Sequence, residues 1–236
     1  MQYKTELHAH TCEVSPCADL TAQEVAERYI ADGYTSLVIT NHYCPTIIDR
    51  WEGTWTEKAE RFLAPYRTMK AYAGERLNVI LGCELRFREN FNDYLILGID
   101  EEFIITHPNL HDMTLKSFSE LAHEKGYLIV QAHPFRNGMT VVNPAYLDGV
   151  EAFNGHVGHD SRNPIADAWA KMHGLLRTAG TDFHHPHQSG VAGILTDEPI
   201  RSGNELVAVL KSGNYVLRCA GPRAEAEGIS DSPAKY

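Results

Sequence analysis

The sequence predicts one α/β domain in which parallel strands and helices alternate to form a barrel. Apolar, β-prone runs alternate with helix-like segments about seven times within 236 residues, as in a chain of β/α units. Histidines and acidic residues follow several of these runs, and barrel enzymes assemble their active sites at the carboxyl ends of the strands. Neither Gly-x-Gly-x-x-Gly nor Gly-Lys-Ser/Thr occurs, so no nucleotide-binding loop is predicted. These observations favour a barrel over an open, doubly wound sheet.

The elements of the amino-terminal half are predicted from hydrophobic periodicity and capping residues. Thr21 and Glu24 form a capping box at the start of the first helix, and Gly33 ends that helix. The predicted elements are a strand over 3–9, a helix over 21–32, a strand over 36–40, a helix from about 55 to 74, and strands over 78–84 and 93–98. The charged turn between the last two strands predicts a hairpin.

The carboxyl-terminal half continues the alternation. The predicted elements are a helix over 115–125, strands over 127–132 and 149–153, a helix over 164–173, a strand over 175–181, a helix over 204–211 and a strand over 215–217. The segment from Gly221 to Tyr236 is rich in Gly, Pro, Ser, Ala and charged residues, which predicts a flexible tail. We therefore expect a single barrel domain over residues 1–220.

The composition of the chain makes nucleic acid and membranes unfavourable partners. The chain has 21 Lys and Arg against 31 Asp and Glu, a formal charge of −10 that is unfavourable for binding nucleic acid. It contains no apolar run of the roughly 20 residues needed to span a membrane, and Met1 leads directly into a predicted strand without a signal-peptide core. Five cysteines without a Cys-x-x-Cys pair fit a reducing compartment. We expect a cytoplasmic protein; the oligomeric state is not indicated.

Five short motifs follow the predicted strands and carry side chains suited to a metal centre. Alternate residues of a strand share a face, so His8 and His10 are expected to project together. The later motifs are Asn41-His42, Cys83-Glu84, His133-Pro134 and Asp182-Phe183-His184. Imidazole nitrogens suit zinc, iron and manganese, and a carboxylate can bridge two ions. No single motif is specific, but the ordered set predicts a polymetal hydrolase centre.

In this order the motifs resemble the polymerase and histidinol phosphatase (PHP) family over residues 8–184. The resemblance implies a distorted seven-stranded, TIM-like (β/α)7 barrel that holds two or three divalent ions, namely manganese, iron, zinc or magnesium. The chain is more similar to the small stand-alone phosphoesterases than to the domains of DNA polymerases. The metal ligands that the resemblance implies are His8, His10, His42, Glu84, His133, Asp182 and His184.

The resemblance also implies how these ligands divide and what they do. One ion would be held by His8, His10, Glu84 and Asp182; Glu84 would bridge it to a second ion at His133; His42 and His184 would hold a third. The implied reaction is hydrolysis of a small phosphomonoester by a hydroxide held between two ions, with His133 and Asp182 in the catalytic centre. Which ester is cleaved is not indicated.

Arg136, three residues after His133, is the best candidate for phosphate recognition because its planar guanidinium matches phosphate oxygens. A surface salt bridge is the other interpretation of Arg136. Arg86 and Arg88 are second choices for the same role. His156 and His159 follow a strand on the functional face, where substrate contact, proton delivery and simple loop solvation all remain open.

The chain departs from the family pattern at three places. Asn41 stands where the family usually has Asp, so an uncharged amide replaces a carboxylate. The further ligand that usually follows His-x-His has two candidates, Cys17 and Asp19. No histidine occupies the usual position between Glu84 and the His-Pro motif. The candidates to replace it, besides water, are Asp93, His107 and His111.

Two other functional classes are compatible with parts of this pattern. Barrel amidohydrolases also begin with His-x-His and end with a strand-end Asp, although Glu84 and the Asp182-Phe183-His184 motif favour the phosphoesterase arrangement. A noncatalytic regulatory module with a degenerate metal centre is the second alternative, suggested by Asn41 and by the missing histidine.

Overall fold

Eleven strands form one mixed sheet in the computed structural model, which describes residues 2–235. The strands are β1 (Tyr3–Ala9), β2 (Ser36–Ile39), β3 (His42–Tyr43), β4 (Asn78–Leu85), β5 (Tyr94–Leu97), β6 (Leu128–Gln131), β7 (Gly149–Asn154), β8 (Leu176–Gly180), β9 (Ala192–Thr196), β10 (Val216–Cys219) and β11 (Ser232–Pro233). The helices are α1 (Ala22–Ala31), α2 (Pro45–Ile48), α3 (Trp55–Ala73), α4 (Glu101–Thr106), α5 (Leu115–Lys125), α6 (Asn163–His173), α7 (Gly203–Ser212) and α8 (Gly221–Glu227). Short 3-10 turns cover Gly74–Arg76, Leu110–Asp112, Pro144–Tyr146 and Pro186–Gln188.

The sheet curls so that its two ends approach each other. The strand order is β11-β10-β9-β1-β2-β4-β5-β6-β7-β8, and β3 pairs with β4 beside this path. After β8 the chain returns to β1, where Phe183 forms a parallel bridge with Ala9. The amide of His10 donates to the Phe183 carbonyl at 3.1 Å, and the Phe183 amide donates to the His8 carbonyl at 3.2 Å. The carboxyl ends of distant strands therefore meet at one rim.

The predicted α/β class is confirmed, but the seven-stranded barrel is not: the sheet of the described residues has eleven strands and more antiparallel pairs than the one predicted hairpin. The predicted hairpin makes β5 antiparallel to β4, and β5 is antiparallel to β6 as well. On the other side of β1, the strands β9, β10 and β11 continue the sheet with antiparallel pairs. The sequence analysis missed β9 because its short apolar run contains Gly193, and glycine weakens a strand signal.

Local sequence signals fixed most helix ends. Thr21 and Thr54 both cap a helix with a side chain that accepts from the third helical amide, and Glu24 and Glu57 complete the two capping boxes. The short helices α2, α4 and α8 were not predicted. Helix α8 and strand β11, which pairs with β10, lie in the segment for which the sequence predicted a flexible tail. Among the helices of residues 2–235, none has the length and apolar composition needed to cross a membrane.

Alternate residues of the central strands pack into two apolar clusters on opposite faces of the sheet. Leu37 of β2 faces the cluster that contains Tyr29 of α1 and Phe62 of α3. Val38, its neighbour, faces the cluster that contains Leu206 of α7. Each fully buried side chain of this kind contributes about 1.5–3 kcal/mol. This packing on both faces stabilises the strands whose carboxyl ends form the rim.

A substitution at Gly193 in β9 tests how closely β9 packs against β1. Gly193 has φ of +134°, and a Cβ there would lie 2.2 Å from the carbonyl oxygen of Thr5 in β1. We expect Gly193→Ala to lower the free energy of unfolding by about 1–3 kcal/mol more than Gly126→Ala does. Gly126 is the matched control because it also has a positive φ, +82°, and a Cβ added there would meet no atom within 4 Å.

Urea unfolding of the two variants and the parent chain measures this difference. Equal losses of stability in Gly193→Ala and Gly126→Ala would show that the β1–β9 contact is not as close as described.

Candidate metal centre

The carboxyl end of β1 places two histidines in the interior. His8 and His10 are both fully buried and project from the same face of the strand. The buried carboxylate of Glu6 lies behind them and accepts hydrogen bonds from the amides of His8 and Thr181, each at 2.9 Å. Tyr29 also donates to Glu6, at 2.9 Å. Burial raises the pKa of Glu6 to about 7 against these hydrogen bonds. Glu6 thus joins β1 to the segment after β8.

Glu84, at the end of β4, is the centre of the cluster. Its two carboxylate oxygens contact four imidazoles. The distances are 2.6 Å to His42 Nδ1, 3.2 Å to His133 Nε2, and 3.4 Å to both His8 Nε2 and His10 Nε2. His8 lies in β1 and His42 in β3, whereas His10 and His133 lie just beyond the ends of β1 and β6. Glu84 therefore lies among the imidazoles with which it was predicted to share ions, and its role as a bridge between two ions stays a prediction.

Asp182 is the second acidic group of the cluster. Its Oδ1 lies 3.4 Å from His8 Nε2, 3.5 Å from His10 Nε2 and 3.3 Å from His184 Nδ1. Asp182 and His133 are two of the few non-glycine residues with positive φ, at +53° and +29°. Such conformations cost about 1–3 kcal/mol each and persist where the surroundings enforce them. The backbone is strained at two of the predicted ligands.

The seven predicted ligands form three overlapping groups whose donor atoms lie within 4.8 Å of one another. The groups are His8, His10 and Asp182; His8, Glu84 and His133; and His10, His42 and His184. The Nε2 atoms of His8 and His10 are buried without a hydrogen-bond partner. A buried polar atom left in this way costs about 1–3 kcal/mol. A divalent cation would satisfy both atoms, so the residues present fit a metal centre.

Electrostatics within the cluster favour charged acids and one neutral imidazole. Burial opposes ionisation of Glu84 and Asp182, but the neighbouring imidazoles hold both pKa values well below their usual range. Burial, together with His184 and His42, lowers the pKa of His10 well below 6.5. For His8, the carboxylates of Asp182, Glu151 and Glu84 outweigh burial and raise the pKa well above 6.5. The carboxylates that raise the pKa of His8 would equally attract a cation.

The cluster lies at the floor of a cavity of about 270 Å³. Its rim is formed by Arg86, Arg136, His156, His159 and His185. His156 and His159 stack with ring centroids 4.2 Å apart, and His159 Nε2 lies 3.7 Å from Asp182 Oδ2. Burial lowers the pKa of His156 to about 4 and that of His159 to about 3. Both imidazoles are therefore neutral at the cavity wall.

Comparison with protein-family models matches residues 6–197 to the PHP domain. The chain belongs to the PHP domain family. The matched range is more than half of the chain and contains all seven of the clustered histidine, glutamate and aspartate side chains described above. A search of the curated proteins found no match.

Solved structures share the fold of this PHP domain at low sequence identity. A two-domain protein from Bacteroides vulgatus, described as containing a predicted PHP-like metal-dependent phosphoesterase, gives a TM-score of 0.67 at 17% identity. The match covers 93% of this chain and 65% of the Bacteroides chain, so this chain spans less than two thirds of the length of that protein. PsfC from Pseudomonas syringae gives 0.64 at 14%, with 88% of each chain covered. An amidohydrolase from Chromobacterium violaceum, solved with bound sulfate, gives 0.58 at 17%, covering 88% and 97%.

Asn41 of the PHP domain is turned towards a loop rather than towards the ligands. Its Oδ1 accepts from the Thr11 amide at 2.8 Å and from Ser15 Oγ at 3.1 Å, and its Nδ2 donates to Thr11 Oγ1 at 3.0 Å. Ser15 Oγ lies 3.2 Å from His10 Nδ1. The side-chain amide of Asn41 therefore holds the loop after β1 in place and, through Ser15, orients the ring of His10.

The structure separates the two candidates for the further ligand. Cys17 lines the same cavity as His42 and His184. Burial raises the pKa of Cys17, but hydrogen bonds from His184 and His42 outweigh it and lower this pKa to about 6. The carboxylate of Asp19 instead lies 2.8 Å from His185 Nδ1 and is largely exposed. Cys17, not Asp19, lies beside the cluster.

Of the three candidates to replace the missing histidine, Asp93 is the one that lies beside His133. Asp93 Oδ2 lies 3.9 Å from His133 Nε2, and Arg86 binds both oxygens of Asp93 at 2.7 and 2.6 Å. The other two candidates lie outside the cavity lining. His111 Nε2 contacts Asp49 Oδ1 at 2.9 Å, and His107 Nδ1 contacts the carbonyl of Phe103 at 3.0 Å.

Glu151 in β7 is a site residue that the sequence analysis missed. Its Oε1 lies 2.9 Å from His8 Nδ1, and its Oε2 accepts from the His133 amide at 2.9 Å and from Asn154 Nδ2 at 2.8 Å. Gly180 makes room, since a Cβ there would lie 2.5 Å from His8 Cβ and 2.6 Å from Glu151 Oε1. A lone acid within the apolar run of β7 was the available signal.

Because Glu151 orients the ring of His8, we expect Glu151→Gln to weaken metal binding by about 10–100-fold while the chain still folds. Glu124→Gln is the matched control, since Glu124 is exposed on α5. Calorimetric titration of metal-free protein with zinc measures both affinities. An unchanged affinity in Glu151→Gln would remove this residue from the support of the centre.

Proposed function

We propose that this PHP domain hydrolyses small-molecule phosphomonoesters with the help of two or three bound divalent ions. The observation that carries the proposal is the convergence of seven donor side chains, six of them buried and His42 half-buried, at a cavity that is also lined by two guanidinium groups. The cavity volume of about 270 Å³ suits a small substrate better than a polymer. The metals we propose are manganese, iron, zinc or magnesium, in line with the mixed nitrogen and oxygen donors.

The proposed ligands are His8, His10, His42, Glu84, His133, Asp182 and His184. Ions held there would act as Lewis acids and would lower the pKa of water from about 15.7 towards 7. Glu84 and Asp182 supply the negative charge that such ions need, and Glu151 fixes the ring of His8 so that Nε2 faces the centre. The chain thus provides an oriented, charged and largely buried donor set.

Arg136 is the proposed phosphate-binding residue and acts together with Arg86. Arg86 is held by two hydrogen bonds to Asp93, whereas Arg136 contacts Asp93 through Nη2 at 3.5 Å. Both side chains line the cavity beside His133. Their charges would neutralise the phosphoryl oxygens as negative charge spreads over them. This arrangement favours phosphate esters over uncharged amides, which have no comparable need for two cations.

The central test is a screen of a phosphorylated metabolite panel with manganese, zinc, iron or magnesium added separately to metal-free protein. We expect metal-stimulated release of inorganic phosphate, and loss of that release in His10→Ala and Asp182→Asn with the fold retained by circular dichroism. The same panel should include amide substrates.

Release of ammonia or amine without phosphate would instead favour an amidohydrolase. Less than one bound ion per chain, with no activity on any substrate, would favour a noncatalytic module.

Arg136→Ala tests the substrate-binding part of the proposal. We expect kcat/KM for the best phosphomonoester to fall by about 100-fold, because a charged donor to the phosphoryl oxygens is lost. Arg136→Lys should recover part of that loss, since lysine keeps the charge but not the planar fork. Arg28→Ala, on the exposed side of α1, is the control. Steady-state kinetics that do not distinguish Arg136→Ala from Arg28→Ala would contradict the assignment.

A further inference from the structure

We propose that Arg223 of α8 is a positioning residue, which holds the loop of residues 155–162 at the wall of the metal-centre cavity. We call this segment the histidine loop because it carries His156 and His159. In that position the two imidazoles contact a bound phosphomonoester, so the inference rests on the proposed function and deepens it. Helix α8 lies beyond residues 6–197, so this element is not covered by the family match.

The guanidinium of Arg223 joins two points of the histidine loop. Its Nη2 donates to the carbonyl of His156 at 3.4 Å and also to the carbonyl of His159. Within the loop, the Gly158 amide donates to His156 Nδ1 at 2.9 Å, and the two imidazoles stack with 13° between their planes. Because one side chain binds both carbonyls, it fixes the turn between the two histidines and with it the place of the stacked rings.

The inner end of the histidine loop is fixed to the metal cluster by Asn154, the last residue of β7. Asn154 Oδ1 accepts from the His156 amide at 3.1 Å and from Ser161 Oγ at 3.2 Å. Its Nδ2 donates to Glu151 Oε2 at 2.8 Å and to Asp182 Oδ2 at 3.2 Å. The loop is therefore held on one side by the acids of the cluster and on the other side by α8.

A second contact from α8 reaches the residue that follows the histidine loop. Glu227 accepts from Asn163 Nδ2 at 2.8 Å, and Asn163 Oδ1 accepts from the Asn154 amide at 2.8 Å. Glu227 also lies 3.7 Å from Arg223 Nη1. Helix α8 is itself fixed, because Ala224 is buried and the next strand, β11, pairs with β10. Two side chains of one fixed helix thus support the loop.

The supported imidazoles lie where a substrate would bind. His159 Nε2 is 3.7 Å from Asp182 Oδ2, and the ring centroids of His156 and His184 are 5.5 Å apart. Both imidazoles line the same cavity as Arg136, the proposed phosphate-binding residue. Without its guanidinium the loop would leave the cavity wall more often and substrate binding would weaken. The metal ligands would stay in place, because Arg223 contacts none of them within residues 2–235.

Hydrogen exchange followed by mass spectrometry tests the hold of Arg223 on the loop. The parent chain is compared with Arg223→Ala, Arg223→Lys and the matched control Arg218→Ala. Arg218 also donates to a loop carbonyl, that of Gly190 at 3.0 Å, but both lie outside the cavity lining. We expect the amides of residues 155–162 to exchange about tenfold faster in Arg223→Ala, with part of the protection restored in Arg223→Lys. In Arg218→Ala the exchange of this loop should equal that of the parent.

Steady-state kinetics with added manganese separate positioning from a general loss of structure. For the best phosphomonoester, we expect KM of Arg223→Ala to rise about tenfold or more while kcat falls less than about threefold. Arg223→Lys should recover part of the rise in KM, because it keeps the cation. Manganese affinity, measured by calorimetric titration, should be unchanged in all variants.

Equal loop exchange and equal KM in Arg223→Ala and Arg218→Ala would overturn the proposal. Faster loop exchange with an unchanged KM would refute the substrate contact, and loss of manganese binding would show a structural role instead. If the parent releases phosphate from no substrate, the proposed function fails and the substrate contact fails with it. Hydrogen exchange then still decides whether Arg223 holds the loop, since it requires no turnover.

Discussion

The pairing of the segment after β8 with the end of β1 is the interaction on which the rest of the site depends. Two backbone hydrogen bonds between Phe183 and the flanking carbonyl and amide of His8 and His10 bring together residues that are about 175 positions apart. The buried carboxylate of Glu6 reinforces the join by accepting from His8 and Thr181. Loop closure over this length is costly in entropy, so the join depends on the packed sheet between the two segments. Once made, it places Asp182 opposite both His8 and His10.

Protons and metal ions compete for the same donors in this cluster. The acids Glu84 and Asp182 are ionised because imidazoles surround them, and His8 is charged because three carboxylates surround it. A protonated imidazole must lose its proton to solvent before it can bind a cation, so a bound cation would replace the positive charge of that proton. The strained backbone at His133 and Asp182 fits this account, since strain is retained where a functional geometry requires it.

The sequence was sufficient to predict that these seven side chains lie together, because each follows an apolar run and the carboxyl ends of such strands share a rim. It could not predict the antiparallel placement of β5 beside β6, because strand direction in the middle of a sheet depends on pairings between distant segments. For the same reason the pair formed by Arg86 and Asp93, and the support of His8 by Glu151, were visible only in three dimensions. The choice between Cys17 and Asp19 depended on how one loop turns.

These features describe a site assembled by the fold rather than by any one motif. The claim that underlies the account is that the cluster is built to hold cations between Glu84 and Asp182. Anomalous diffraction at the zinc edge, from crystals grown with excess zinc, measures this directly. The account predicts peaks about 2.0–2.2 Å from the carboxylate oxygens of both residues and from the Nε2 atoms of His8 and His10. Zinc found only at surface sites, with these donors hydrogen-bonded to one another, would contradict it.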